Sequence, residues 1–322
     1  MPDRSYRIPF GASFAPVLVV LTVLVSACGG PPPGDSAEVQ FRVPRGASFA
    51  EVVDTLEARG VVARPGLFTL YARLKGADDE VRAGSYELPQ DAPWSEVVRA
   101  LTEGRVVTVP ITFPEGWRLA QIAPRIASFS GVENDSVLRL LQGDSTHVEW
   151  QIPGPGLEGY LFPETYHLTP DAAPQTLIAT MVSHYREFWN DTRRVRLDSL
   201  GMSERELVTL ASIVQAEARV AEEMPRIAGV YHNRLRQGWL LQADPTVLYA
   251  LGGPRARLLF AAIDSVADSP YNTYTQPGLP PGPIGSPGAS ALLAALYPED
   301  HEFMFFVAMP EGHHVFSRTL RE

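Results

Sequence analysis

The stretch from Ser203 to Gly252 constrains this chain more than any other. Ser203 and Glu206 stand in the Ser-x-x-Glu relation of a capping box, and Leu207, Leu210, Ala211, Val214 and Ala218 follow at helical spacing. The pattern predicts a helix with one buried face. At ~100° per residue, Glu217 projects close to Leu210 and between Ile213 and Val214, on or beside the apolar stripe. Such a carboxylate either solvates the edge of the stripe or is desolvated for a purpose. Burial disfavours its charged form and raises its pKa, so it can hold a proton near neutral pH and deliver it to a leaving group. A second helix, from about Met224 to Arg236, has Pro225 in its first turn and Ile227, Val230, Tyr231, Arg234 and Leu235 at helical spacing, with Gly238 beyond its end. The two helices pack as a hairpin. Asp244-Pro245 reads as N-cap and first-turn proline of a third short helix that stops at Gly252-Gly253.

What surrounds this stretch must supply a core, and 322 residues, 45% of them hydrophobic, are enough for more than one domain. A formal charge of -10 argues against nucleic acid, whose binding needs a basic footprint. Residues 1–28 have a different character. Two arginines precede a run from Ile8 to Ala27 that contains no charge, and the run ends Leu24-Val25-Ser26-Ala27-Cys28-Gly29. This is an export signal or a membrane anchor. Cys28 is the only cysteine, and its setting resembles a lipobox, in which the cysteine is lipidated and becomes the mature N-terminus. A lipoprotein is favoured over an uncleaved single-pass helix, and both place the rest of the chain outside the cytoplasmic membrane. Residues 29–38, rich in glycine and proline, form a linker.

From residue 39 to 113 short strands and helices alternate. Val39 to Val43 reads as a strand, Ser48 and Glu51 form another capping box, a helix follows Pro65, and a strand lies near Val81 to Leu88. A helix from about Ser95 to Glu103 and a β-rich run from Val106 to Phe113 complete a compact α+β module. Beyond Phe113-Pro114-Glu115-Gly116-Trp117, which marks a hinge, helices are expected at Leu119 to Ile126, Val132 to Leu141 and Thr176 to Trp189. Between them the run Leu157 to Tyr166 is loaded with aromatics. Its Tyr160 could stack on a sugar ring or simply fill a core, and Glu158 and Glu164 are candidate polar contacts.

Tyr271-Asn272-Thr273-Tyr274 is polar and aromatic without helical or strand period, and prolines and glycines follow as far as Gly288. Each proline fixes its own φ, so this run can hold a cleft wall in place. Asn272, Thr273 and the hydroxyls of Tyr271 and Tyr274 offer neutral donors and acceptors of the kind that read sugar hydroxyls and acetamido groups. The alternative is a structural loop. The chain closes with a β-hairpin from Phe303 to Ser317, where adjacent His313 and His314 point to opposite faces, an arrangement that speaks against a shared metal.

The runs LEGYLFPETYHL (Leu157 to Leu168), LASIVQAEA (Leu210 to Ala218), NRLRQGWLLQADPTVLYALG (Asn233 to Gly252), YNTY, GLPPGPIGSPG (Gly278 to Gly288) and FFVAMPEGHHVFSRT (Phe305 to Thr319) resemble, in order and spacing, the endolytic murein transglycosylase or YceG-like family. The resemblance covers nearly everything after residue 39. It implies a fold in two parts, a small LysM-like α+β module at 39–113, whose role is glycan contact or mere spacing, and a mixed α/β catalytic domain at 114–322. It makes Glu217 the catalytic acid, with Gln242, Asp244, Glu164, Tyr160, Tyr271, Asn272, Thr273 and Tyr274 as substrate contacts. Gln215 stands where relatives often carry another acidic residue. The implied partners are peptidoglycan glycan strands, the cytoplasmic membrane and peptidoglycan synthases; no cofactor and no metal is implied.

Cleaving a glycosidic bond requires a proton on the departing oxygen, and hydrolases add a second carboxylate. Only one acid stands out in this sequence. In a lytic transglycosylase the sugar's own 6-hydroxyl replaces water, giving a 1,6-anhydromuramoyl end. A non-catalytic murein-binding scaffold would not need Glu217. A pyridoxal-phosphate lyase would need a lysine for its Schiff base, and the single lysine is Lys75, in the N-terminal module and remote from every motif.

Overall fold

The computed structural model describes residues 37–143, 149–154, 156–170, 172–255 and 257–322. Cys28 and the apolar run before it lie outside these residues. Among those described, no helix is long and apolar enough to cross a membrane. The chain is a mixture of helices and small antiparallel sheets, and it divides into two compact units between Val107 and Thr108.

In the first unit, β1 (Glu38–Val43) pairs antiparallel with β2 (Gly84–Pro89), and α1 (Phe49–Ala58), α2 (Pro65–Leu74) and α3 (Trp94–Glu103) complete it. The capping box of Ser48 and Glu51 is formed at the start of α1, contributing about 1 kcal/mol. Alternation in the strands turns Phe41 and Tyr86 inward as cross-strand partners, their rings stacked at 5.5 Å over a core of Leu56, Phe68 and Leu101.

The second unit begins with β3 (Val109–Thr112), which pairs with β4 (Thr165–Leu168). That pairing is why the β-rich run at 106–113 is divided, its later part belonging to the second unit. Between these strands lie α4 (Leu119–Ser130) and α5 (Asn134–Gln142); α6 (Pro174–Phe188) and α7 (Asp191–Leu200) follow. Then come α8 (Glu204–Glu217), a 3-10 turn (Ala221–Glu223), α9 (Met224–Arg236), α10 (Asp244–Ala250), α11 (Phe260–Asp264), α12 (Ala289–Leu296) and the hairpin of β5 (Phe305–Ala308) with β6 (His314–Ser317).

Helix α8 is the axis of this unit, and the expectation of one buried face is corrected. Every residue from Leu207 to Val214 is buried. Its two buried hydroxyls are satisfied, Thr209 donating to the Arg205 carbonyl at 2.8 Å and Ser212 to the Thr209 carbonyl at 2.7 Å, so they impose no desolvation penalty on the core. α9, α10 and α12 pack around it. Beyond its first turn the helix reaches open space only in its last, where Glu217 is half-buried.

Candidate active site

Glu217 is the last residue of α8, capped in front by the Ser203–Glu206 box and followed by Ala218 in extended backbone. The helix therefore delivers the carboxyl to the end of a rigid rod. Tyr231, about two turns into the facing helix α9, donates its hydroxyl to Glu217 Oε1 at 2.9 Å. Burial pushes the Glu217 carboxyl up to about 7. The Tyr231 hydroxyl and the Arg234 guanidinium pull it back, and the charge of Asp244 adds to the rise. An acid with that value is half protonated near neutral pH and still partly exposed, as a general acid must be.

Tyr231 is itself buried, edge-on to Phe306 at 5.8 Å, and burial beside Glu217 raises its phenol well above the usual range, so it stays a donor. Arg234, one turn along the same face, is buried too. Its Nε donates to the Met304 carbonyl at 2.8 Å and its Nη1 to the Leu241 carbonyl at 2.5 Å, tying the C-terminal hairpin to the loop before α10. Neither residue stood out as functional in the sequence. The available signal was a tyrosine and an arginine on the apolar stripe of α9.

Asp244 is corrected from N-cap to first helical residue. Ala243 is the N-cap of α10 and makes no side-chain bond; Asp244 is the first helical residue, exposed, and accepts the Tyr274 hydroxyl at 2.5 Å. Burial and Asp244 together keep Tyr274 protonated. Just before it, exposed Gln242 has a left-handed φ of 48°, a conformation strained for a non-glycine residue. The strain is held by two adjacent bonds: Gln242 N donates to the Thr273 carbonyl at 3.0 Å and Ala243 N to Thr273 Oγ1 at 2.9 Å.

The structure gives Asn272 and Thr273 a different place from the substrate contacts expected of them. Asn272 is fully buried; its Nδ2 donates to the carbonyls of Ile263 (2.9 Å) and Val266 (3.1 Å), and its Oδ1 accepts from Tyr274 N at 3.0 Å. Thr273 is also buried and shares a 2.8 Å hydroxyl bond with Thr246. Both buckle the loop that presents Tyr271 and Tyr274. Tyr160 is likewise corrected: it is wholly buried, edge-on to Tyr185 at 5.3 Å in the core. Glu164 is exposed and faces His184 at 3.8 Å.

Glu158 forms a separate group. It accepts from Leu119 N at 3.1 Å at the start of α4 and from the Tyr249 hydroxyl at 3.4 Å, and burial lifts it to about 7. The Tyr249 ring lies between Tyr271, 4.7 Å away, and the Arg118 guanidinium at 5.4 Å. The Pro/Gly run is a wall laced to α8. Arg205 donates to the Pro281 carbonyl, Ile284 N to Ser212 Oγ at 3.0 Å and Gly288 N to Gln215 Oε1 at 3.0 Å. Gly159 faces it with φ 85°, where a Cβ would sit 2.4 Å from Pro283. His314 of β6 is buried and its Nδ1 lies 2.6 Å from Glu223, fastening the hairpin to the turn that follows Glu217.

A family model described as the YceG-like family matches residues 41–322. The chain is 32% identical over 287 residues to an endolytic murein transglycosylase of Bacillus subtilis (strain 168), covering 84% of this chain and 79% of that protein. It is 30% identical over 291 residues to an endolytic murein transglycosylase of Streptococcus pneumoniae serotype 2 (strain D39), covering 80% of this chain and 52% of that protein. The chain thus spans about half the length of the streptococcal relative. A crystal structure of a YceG-like protein from Listeria monocytogenes superposes with a TM-score of 0.59 at 32% identity, over 89% of this chain and 98% of that one.

Proposed function

The chain belongs to the YceG-like family, and on that basis we propose that it is an endolytic murein transglycosylase, a lyase that cuts the bond between N-acetylmuramic acid and N-acetylglucosamine inside peptidoglycan strands. The observation that carries this reading is the carboxyl of Glu217, held at about 7 by burial at the open end of α8. Protonated Glu217 gives its proton to the glycosidic oxygen as the C1–O bond breaks, and the N-acetylglucosamine side leaves as an alcohol. The resulting carboxylate takes the proton of the muramoyl 6-hydroxyl as O6 bonds to C1. The electron pair of the broken bond stays on the leaving oxygen, the enzyme ends as it began, and the product is a 1,6-anhydromuramoyl end.

The neighbours of Glu217 fit this double duty. Tyr231 steadies the carboxylate, so the acid can return its proton without a large energetic cost, while the Asp244 charge keeps the acid form populated. The other three candidate carboxylates are engaged: Asp244 by Tyr274, Glu158 by the α4 N-terminus and Glu164 by His184. Tyr274, Tyr271, Gln242 and Asp244 are the half-buried or exposed groups we assign to the sugar hydroxyls and acetamido groups.

We further infer that the first unit contacts glycan, that the N-terminus anchors the chain to the outer face of the cytoplasmic membrane, and that cleavage terminates strands made by nearby peptidoglycan synthases. The test is to incubate purified sacculi with the protein and with Glu217→Gln. New anhydro ends, identified by mass, from the first and none from the second support the reading; new ends from both remove Glu217 from the chemistry.

A further inference from the structure

Trp239 has no part in the chemistry above, yet it is 45% exposed in the loop that leads from α9 to Gln242 and Asp244. A tryptophan left half in water forgoes much of the burial free energy that its large apolar surface could supply. It is also held still. Gly238 (φ 69°) and Gln242 (φ 48°) bend the backbone on either side, Trp239 N donates to the Arg234 carbonyl at 2.9 Å, and Leu241 is fully buried with its carbonyl bound by Arg234. Its ring stands edge-on to Phe305 at 5.8 Å, and the Arg234 guanidinium sits over Phe305 at 5.6 Å. Arg234 is also one of the charges felt by Glu217. An aromatic ring fixed in orientation, partly exposed and braced on Phe305 beneath the Arg234 guanidinium is a preorganised stacking surface.

We propose that Trp239, braced by Phe305, is a platform on which a sugar ring of the glycan strand stacks, outside the ring that loses its bond. This deepens the transglycosylase reading and rests on it. Pyranose rings carry an axial C–H face that packs on aromatic rings, and neighbouring Gln242 and Asp244 supply polar contacts to the hydroxyls at the ring's edge. The platform favours strands long enough to reach from Glu217 to Trp239, a preference for internal bonds over short ends. An exposed aromatic could instead serve only to cover Phe305, and the two roles give different measurements.

The test uses the full chain and purified glycan strands of graded length. Trp239→Ala should raise KM about tenfold on long strands with kcat within twofold, the loss expected for one stacking contact. It should leave short fragments unaffected. Trp239→Phe should recover most of the affinity, and Val195→Ala, an exposed apolar change on α7, should match wild type. In the Glu217→Gln background, titration with long strands should change tryptophan fluorescence, and Trp239→Phe should lose that change while still binding. Cleavage by wild type with an unchanged KM in Trp239→Ala overturns the platform alone, as does a fall in Tm with no length-dependent KM. Absence of both cleavage and binding in wild type overturns the transglycosylase reading and the platform with it.

Discussion

Tyr231 donates its hydroxyl to Glu217 Oε1 at 2.9 Å across the α8–α9 hairpin, the only side-chain hydrogen bond to that carboxyl among the described residues. A donor to the charged form lowers an acid's pKa, so Tyr231 opposes the desolvation that raises it. Tyr231→Phe should therefore move the alkaline limb of the kcat/KM profile upward by roughly one pH unit and lower kcat about tenfold. A profile that keeps its alkaline limb in place would show that the bond does not act on Glu217.

Asp244 acts in the opposite sense. Its negative charge raises the Glu217 carboxyl, so Asp244→Asn should shift the alkaline limb downward, by about half a unit to one unit. Loss of the charge from the first turn of α10 should cost about 0.5 kcal/mol of stability. A stability loss without movement of the limb would return Asp244 to a purely structural role.

A raised carboxyl also costs stability, and the sign is fixed by linkage. The ordinary value is 4.5 and the folded value about 7, so the folded state holds the proton that the unfolded chain has already released. Below pH 4.5 there is no penalty; it builds between 4.5 and 7 and is complete above. The shift is equivalent to at most about 3 kcal/mol, less for a half-buried group. Glutamine carries no charge to desolvate. The Tm of Glu217→Gln minus that of wild type should thus grow by about 5 °C between pH 4.5 and 8. A difference independent of pH would mean that the carboxyl is not desolvated.

At the N-terminus, Cys28→Ser should leave an unprocessed precursor whose mass includes residues 1–27, if the cysteine is lipidated as proposed. The same processing in wild type and variant, with no lipid on either, would contradict it.

Local signals in the sequence were easy to read wherever one interaction decides one element. Ser48 with Glu51 and Ser203 with Glu206 form the capping boxes their spacing requires, and α9 runs from Met224 to Arg236 as Pro225 and Gly238 mark it. For Asp244 the sequence is ambiguous by one residue, because an Asp-Pro pair suits both N-cap with first-turn proline and the first two helical positions, and the structure adopts the second. Depth was harder to read. Asn272, Thr273 and Tyr160 carry polar atoms that suit either a ligand or a folded loop, and only the packing around them shows that they face inward. Tyr231 and Arg234 were hidden in a helical stripe for the same reason. Helix α12, a short run of alanines and leucines, lacks a side-chain cap and exists because it packs on α8 and α9.

The reaction type is the central claim, and running the cleavage in water enriched in heavy oxygen tests it most directly. If Glu217 works alone and the muramoyl 6-hydroxyl closes on C1, the new ends are anhydro, lighter than hydrolysed ends by one water, and carry no label. Labelled reducing ends as the main product would show water as nucleophile and a second carboxylate at work, with one of Asp244, Glu158 and Glu164 to be reassigned.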